Sequence, residues 1–301
     1  MNIDNELPII KKPAPVLRKP DWLKTPLGHN KQFHETRQLV QGSKLFTVCE
    51  EAACPNMGEC WSRGTATIMI MGDTCTRSCG FCNVKTGRPQ PLDPDEPRRV
   101  GEALKEFGLK YIVITSVDRD ELPDAGAGHF AEVMRACREI SPSTRLEVLV
   151  PDFKGMPESV KLICDEKPNV YAHNMETVNR LHPQVRPQAK YYRSLDTLGQ
   201  AKQHGMVVKS GIMVGLGETQ EEVIEVMRDL VEVGCDLLTI GQYMQPTPRH
   251  LPVIEYIHPD IFKYYSNIGK ELGLKHVEAG PLVRSSYRAE TQEAILRSGN
   301  I

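Results

Sequence analysis

The 301-residue chain lacks three features that would direct it to a charged polymer, a membrane or the secretory route. Its 37 basic and 39 acidic residues leave a net charge of −2, so electrostatics gives no reason to expect a nucleic acid or an anionic membrane as partner. No apolar run approaches the ~20 residues of a membrane span. The N-terminal segment MNIDNELPIIKKPAPVLRKPDW has no apolar signal core. We therefore expect a cytoplasmic protein whose N-terminal arm is extended or partly disordered.

Short apolar runs alternate six times with amphipathic segments between residues 65 and 273. The strand-like runs are TATIMIMG, KYIVITS, RLEVLVP, NVYAHN, MVVKSGIMVG and DLLTIGQY. Among the helix-like segments, PDEPRRVGEALKEFG ends at Gly108 and TQEEVIEVMRDLVEVG begins at the N-cap Thr219. This alternation predicts an α/β fold with parallel strands and right-handed crossovers. A closed eight-fold barrel takes ~250 residues, so six units predict a partial (β/α)6 barrel.

The predicted barrel divides the chain into three parts. Residues 1–64 form an N-terminal extension, 65–273 the barrel and 274–301 a C-terminal extension. In such folds the chemistry lies on loops at the carboxyl ends of the strands. The segments CTRSCGFC and SVDRDELPDAGAG both follow strands, and we expect both on that face.

Nine cysteines are present, an odd number, and six of them are clustered. Disulfides are not expected without export, so the clustered cysteines are interpreted as metal ligands. Cys137, Cys164 and Cys235 stand alone in apolar contexts and are expected to be buried small hydrophobes. Six histidines are expected in surface or turn positions and not as metal ligands: His129, His173, His204, His250, His258 and His276.

Cys75, Cys79 and Cys82 form a C-x3-C-x2-C loop directly after the first predicted strand. Structural zinc usually takes four Cys or His ligands, and this loop contains no histidine. Three thiolates on a 4Fe–4S cube would leave one iron open to hold a substrate or cofactor. A zinc knuckle with a distant fourth ligand is the alternative interpretation.

This loop resembles that of the radical S-adenosylmethionine (SAM) superfamily. The resemblance implies that the open iron chelates the amino and carboxylate groups of SAM, and that an electron from the cluster breaks the sulfonium bond to give a 5′-deoxyadenosyl radical. The aromatic Phe81 matches the position whose backbone lies against adenine. GIMVGLGE matches the superfamily's adenine-lining element through Met213, Val214 and Gly215, although an ordinary strand-to-helix turn is also possible there.

The resemblance also implies contacts to the remainder of SAM. Ser116 and Asp118 lie in the loop that receives the methionine amino group, although Asp118 also suits a solvated charged loop. Glu147 in the third strand and Asn174 at the end of the fourth are expected to point into the barrel mouth, where either would hold the ribose hydroxyls.

Another triplet, which comes first along the chain, consists of Cys49, Cys54 and Cys60; it has the spacing C-x4-C-x5-C and lies on the N-terminal extension. Both triplets, together with TSVDRDELPDAGAGHF, LVPDF, HNMETV, KSGIMVGLGET, GQYMQPT and GPLVRSSY, resemble the sulfur-inserting enzymes of the superfamily. The resemblance implies a second 4Fe–4S cluster, which is consumed as the sulfur source. A serine of RSSY would be its fourth ligand, Ser286 in preference to Ser285.

The implied reaction adds sulfur at carbons 6 and 8 of an octanoyl group on a lysine of a carrier domain, and uses two SAM molecules. The implied partners are the acyltransferase subunits of 2-oxo-acid dehydrogenases, the glycine-cleavage H protein and a low-potential electron donor. Two alternatives are another radical SAM enzyme with an auxiliary cluster, such as a methylthiolating or peptide-maturing one, and an iron–sulfur electron carrier or scaffold. A carrier would not need a 200-residue barrel.

Overall fold

The computed structural model describes residues 17–24, 30–52, 54–63 and 66–298. The predicted N-terminal arm falls largely on residues 1–16, outside the described residues. None of the helices in the described part is long and apolar enough to cross a lipid bilayer.

The strands form one large sheet and one small pair. They are β1 (Phe46–Thr47), β2 (Thr67–Ile70), β3 (Thr74–Cys75), β4 (Lys85–Thr86), β5 (Tyr111–Ser116), β6 (Arg145–Leu149), β7 (Val170–Ala172), β8 (Val208–Val214), β9 (Leu237–Gln242) and β10 (His276–Gly280). The large sheet has the order β1-β2-β5-β6-β7-β8-β9-β10, and β3 pairs with β4. All neighbours from β2 to β10 are parallel, whereas β1 runs antiparallel to β2.

Helices connect the parallel strands and cover the outer face of the sheet. They are α1 (Lys31–Gly42), α2 (Val48–Glu51), α3 (Met57–Ser62), α4 (Glu96–Phe107), α5 (Ala127–Ile140), α6 (Pro157–Asp165), α7 (His182–Val185), α8 (Tyr191–Gln203), α9 (Gln220–Glu232), α10 (Pro259–Leu272) and α11 (Ala289–Ser298). Short 3₁₀ turns lie at Asp21–Leu23, Phe153–Gly155 and Asn179–Leu181.

Local sequence signals account for several helix ends. Thr219 and Glu222 form a reciprocal capping box at the start of α9. Gly108 and Gly273 follow α4 and α10 with φ of +61° and +117°, the left-handed conformation that glycine adopts most easily. These caps confirm the helix boundaries expected at Gly108 and Thr219.

The sheet is an open barrel, because its end strands, β1 and β10, are not paired with each other in the described structure. The predicted partial barrel is therefore confirmed, and all six predicted strands are present. One parallel strand was not predicted: β10 pairs in register with β9 from His276↔Leu237 to Gly280↔Gly241. The sheet thus continues past residue 273, where the sequence suggested that the barrel ends.

The N-terminal extension is built around a small core of its own. Phe33 of α1 and Trp61 of α3 pack with ring centroids 5.5 Å apart, and buried Cys49 joins them. The hydroxyl of Thr36 donates to the carbonyl oxygen of Trp61 at 3.1 Å. This packing, with the β1–β2 pairing, holds the first cysteine triplet against the barrel.

Candidate functional site

A cavity of about 480 Å³ opens at the carboxyl ends of the parallel strands. Side chains from β2 and from each strand from β5 to β9, or from the residues just after them, contribute to its wall. Both cysteine triplets reach it: Cys75, Cys79 and Cys82 from the loop after β2, and Cys49 and Cys54 from the N-terminal extension. The fold therefore brings together two groups of thiols that the sequence separates.

The loop of the second triplet, residues 75–82, is fixed to the barrel by the buried guanidinium of Arg77. It makes two hydrogen bonds to Asp120, at 2.7 and 2.8 Å, and one to Asp152 at 2.7 Å. Asp118 Oδ1 lies 3.3 Å from Arg77 Nη1, within ion-pair distance. One cation thus neutralises carboxylates from the loops after two different strands, and a buried charge needs such compensation.

Neighbouring loops close tightly on Gly80, in the middle of this cysteine loop. Its N–H donates to the carbonyl of Val185 at 2.9 Å, and its own carbonyl accepts from Leu251 at 3.0 Å. A Cβ at this position would lie 2.9 Å from the Leu251 side chain. Nearby, His250 Nε2 lies 3.0 Å from the Cys82 carbonyl oxygen, so the predicted turn histidine helps to hold the loop.

The loop thiols are held in a partly buried, polar setting. Cys75 Sγ accepts from the N–H groups of Arg77 and Asp118, at 3.4 and 3.3 Å. Burial raises the pKa of Cys75 and of Cys79 to about 12, and that of Cys82 in the same direction. Metal binding at these positions would therefore release protons at neutral pH.

The first triplet lies beside a smaller cavity of about 70 Å³, which Cys49, Cys54, Cys60 and Ser286 line together. Burial raises the pKa of Cys49 to about 11 and that of Cys60 to about 12. In the described ranges, no three His, Cys, Asp or Glu side chains converge as ligands of a single metal ion would.

The C-terminal RSSY segment is fastened to this triplet at three points. Asn56 donates to the Leu282 carbonyl at 2.5 Å, and the Tyr287 hydroxyl lies 3.2 Å from Glu59 Oε1. The Thr67 hydroxyl donates to Ser286 Oγ at 2.9 Å. Ser286 lines both cavities, whereas Ser285 lines the larger one and is absent from the wall shared with Cys60. Ser286, the serine preferred from the sequence, thus shares a cavity wall with all three cysteines of this triplet.

Five of the residues predicted to contact SAM line the large cavity: Phe81, Ser116, Asp118, Asn174 and Met213. Ser116 Oγ and Asn174 Oδ1 are buried and make no hydrogen bond within the described structure. Burial raises the pKa of Asp118 despite the nearby Arg77 cation.

The other three predicted contacts lie outside the wall of this cavity. Glu147 is buried in an ion pair with Lys209 at 2.9 Å and accepts a hydrogen bond from the Tyr111 hydroxyl at 2.6 Å. Val214 is completely buried. A Cβ on Gly215 would lie 2.2 Å from the Gln242 amide nitrogen, so this glycine packs against a neighbouring strand and not towards the cavity. Their position gives the predicted ribose and adenine roles no support.

Several cavity residues were not predicted from the sequence. Arg186, which is buried, donates to the carbonyl oxygens of Asn174 and Met175 at 2.7 and 3.1 Å, and its Nε has no hydrogen-bond partner in the described part. Glu176 lies nearby and accepts from the Asn174 amide at 3.0 Å, and burial raises its pKa. Its φ of +65° is unusual for a residue with a side chain. Such strain often marks functional positions.

His173 also lines the cavity, contrary to the expectation of a surface or turn position. It is 1% exposed, and its ring nitrogens lie 2.8 Å from the Val150 carbonyl and 2.9 Å from the Ser194 hydroxyl. His129 is likewise buried, 2.6 Å from Glu96. The sequence-based placement of these two histidines is wrong, because each has polar partners that become apparent only in the fold.

Comparison with known proteins agrees with this architecture. The family model of the radical SAM superfamily matches residues 69–230. The crystal structure of methylornithine synthase superimposes with a TM-score of 0.53 at 15% identity, covering 83% of each chain, which shows a shared fold. Fold and family model together define a radical SAM enzyme.

Curated relatives specify the family further. The lipoyl synthase of Phocaeicola vulgatus is 55% identical over 274 residues, covering 91% of this chain and 96% of that protein. The lipoyl synthase of Thermus thermophilus is 51% identical over 296 residues, covering 95% and 92%. The chain belongs to the lipoyl synthase family, whose members are radical SAM sulfurtransferases. The resemblance seen in the cysteine spacings is confirmed.

Proposed function

We propose that this protein inserts sulfur at carbons 6 and 8 of an octanoyl group amide-linked to a lysine of a lipoyl carrier domain. The observation that carries the proposal is the common cavity of the two cysteine triplets. Cys49, Cys54 and Ser286 share its wall with Cys75, Cys79 and Cys82. A fatty chain in this space would meet both groups of ligands, and such proximity replaces a diffusing sulfur donor.

The residues present fit two iron–sulfur clusters and SAM. Two sets of three thiols are the donor sets that such clusters require. Cys75, Cys79 and Cys82 would hold one 4Fe–4S cluster, and Cys49, Cys54, Cys60 and Ser286 the auxiliary one. When bound, the cluster on Cys75, Cys79 and Cys82 supplies the electron for reductive cleavage of SAM, and the auxiliary cluster supplies sulfide.

The polar wall of the cavity suits the methionine end of SAM. Asp118 and Ser116 are proposed to meet the amino group, as expected from the sequence. Burial raises the pKa of Cys79, and the nearby Arg186 cation partly opposes that rise; we assign Arg186 to the SAM carboxylate. The unpaired Asn174 oxygen is proposed to accept from a ribose hydroxyl.

The apolar part of the wall suits the adenine and the fatty chain. Phe81 and Met213 are proposed to lie against the adenine. Met69, Leu149 and Tyr243 also line the cavity and offer apolar surface for the octanoyl carbons. Exclusion of water by these side chains would protect a reactive carbon centre.

The proposed partners are those that membership of the lipoyl synthase family implies. They are the octanoylated domains of 2-oxo-acid dehydrogenase acyltransferases and of the glycine-cleavage H protein, with a low-potential donor that delivers an electron for each cleavage. A cytoplasmic location is part of the same proposal.

The test is an anaerobic reaction of the iron-loaded protein with an octanoyl-lysine carrier peptide, SAM and dithionite. The expected product gains two sulfur atoms, each replacing a C–H bond by a C–SH group, with two molecules of 5′-deoxyadenosine formed per product. Isotopically labelled sulfide in the auxiliary cluster should appear in the product. A fully loaded protein that cleaves SAM and leaves the peptide unchanged would contradict the proposal.

A further inference from the structure

Thr67, the first residue of β2, lies between two proposed ligands of the auxiliary cluster. Its hydroxyl donates to Ser286 Oγ at 2.9 Å, and it lines the smaller cavity together with Cys49. It is only 7% exposed and lines both cavities. The sequence places this residue in the strand-like run TATIMIMG and assigns it no role in the site.

The two partners of this hydrogen bond differ in how firmly the fold holds them. Thr67 belongs to the sheet, in register with Val113 of β5. Ser286 lies in a series of turns between β10 and α11. The contacts of Leu282 and Tyr287 fasten the chain on either side of Ser286, but they do not orient its hydroxyl. The hydrogen bond from Thr67 does.

We propose that Thr67 is a positioning residue for the auxiliary cluster and that its hydroxyl directs the Ser286 oxygen towards Cys49, Cys54 and Cys60. This inference rests on the proposed function, in which Ser286 is the fourth ligand. A deprotonated serine oxygen accepts hydrogen bonds more strongly than a neutral one, so the contact suits the ligated state as well. Partners of this kind commonly change metal affinity by about 10–100-fold.

The first experiment isolates the auxiliary cluster in the full-length chain. Cys75, Cys79 and Cys82 are all changed to Ala, so that the iron taken up on reconstitution with iron and sulfide belongs to the first triplet. Thr67→Val removes the hydroxyl and keeps the shape, and Thr67→Ser keeps the hydroxyl. Thr144→Val is the matched control, because Thr144 is also 7% exposed and its hydroxyl donates to the Leu109 carbonyl at 2.7 Å.

The readouts are iron per chain and the rate at which a chelator removes that iron. Thr67→Val should lose iron about tenfold faster than the parent, whereas Thr67→Ser and Thr144→Val should stay within about twofold. Equal rates for Thr67→Val and the parent would overturn the proposal. So would equal acceleration by Thr144→Val, since that result would indicate general loss of stability, which thermal melts would report.

The second experiment asks whether Thr67 acts through Ser286. Ser286→Ala should accelerate iron loss, and adding Thr67→Val to it should have no further effect, because neighbours that act as a unit are not additive. A full additional effect would refute the proposed route. If Ser286→Ala itself changes nothing, the ligand assignment fails and this inference with it. If the iron data hold but the intact protein forms no sulfur-containing product, the proposed function fails while the positioning role stands.

Discussion

Arg77 Nη2 lies 2.7 Å from Asp152 Oδ1, and this contact joins the cysteine loop after β2 to the loop after β6. The same guanidinium makes a two-pronged contact with Asp120. Planar, forked geometry of this kind is available to arginine and not to lysine. The loop that carries three proposed iron ligands is thus held by one side chain between the first and second of them.

Arg77→Lys should selectively weaken the cluster in this loop. Lysine keeps the charge but cannot reach Asp120 and Asp152 together. We therefore expect the free energy of unfolding to fall by about 1–3 kcal/mol, and the iron bound by the cysteine loop to be retained less firmly. Urea melts and iron analysis of the variant measure both effects. Arg98→Lys is the control, since the Arg98–Glu102 pair is exposed and its attraction is weakened by solvent. Equal iron retention by both variants would show that the contacts of Arg77 with Asp120 and Asp152 are not needed to hold the iron.

Gly241→Ala should damage the auxiliary site and spare the loop site. A Cβ on Gly241 would lie 2.0 Å from the Val283 carbonyl oxygen, which is backbone and must move with the RSSY segment. We expect loss of about half of the iron that two cubes would hold. Iron content and SAM cleavage are the measurements, and cleavage should persist. Gly42→Ala is the control, because no neighbouring atom approaches within 4 Å of that Cβ. Retention of full iron by Gly241→Ala would contradict the proposed site.

Ser286→Cys should leave an auxiliary cluster bound yet halt the reaction after one sulfur. Iron would bind a cysteine thiolate more firmly than a serine oxygen that can be protonated. Release of the side chain at position 286 would therefore become the slow step of the reaction. Mass analysis of the carrier peptide should show a product with one sulfur. Ser285→Cys should behave like the wild type, because Ser285 does not line the cavity with Cys60. Formation of the full two-sulfur product by Ser286→Cys would count against the idea.

The cluster-free protein should lose stability in mild acid through two buried histidines. Burial lowers the pKa of His173 and of His182 to about 4, against about 6.5 in an unfolded chain. Their neutral forms therefore support the fold fully above pH 6.5, and this contribution declines as the pH falls towards 4. Urea melts from pH 7 to 5 should show a shallower decline for the His173→Gln/His182→Gln variant. His204→Gln, at an exposed position, should leave the slope unchanged.

The fold could be predicted largely from periodicity, and the exceptions have physical reasons. Buried strands such as β5 and β9 are short runs rich in apolar residues, and glycine caps mark the ends of α4 and α10. The strand β10 has the sequence HVEAG, with one buried residue, and carries no such signal. Its pairing depends on the neighbouring strand β9, which sequence periodicity does not report.

The candidate site shows a similar division. Cysteine spacing indicated both triplets, because ligands close in sequence leave a pattern. Arg186 and Glu176 belong to no such sequence pattern, because they reach the cavity only where separate loops converge in the fold. Glu147 was expected at the barrel mouth from its place in a strand. The structure pairs it with Lys209 instead, a contact between strands that alternation alone does not specify.

The hydrogen bond between Asn56 and the Leu282 carbonyl spans 226 positions of the chain. A ribosome adding about 5–20 residues per second needs roughly 11–45 s to cover that distance. The three N-terminal thiols therefore leave the ribosome long before the serine that shares their cavity has been made. Whatever machinery delivers iron and sulfide must either wait for translation to finish or load a site that still lacks its proposed oxygen ligand.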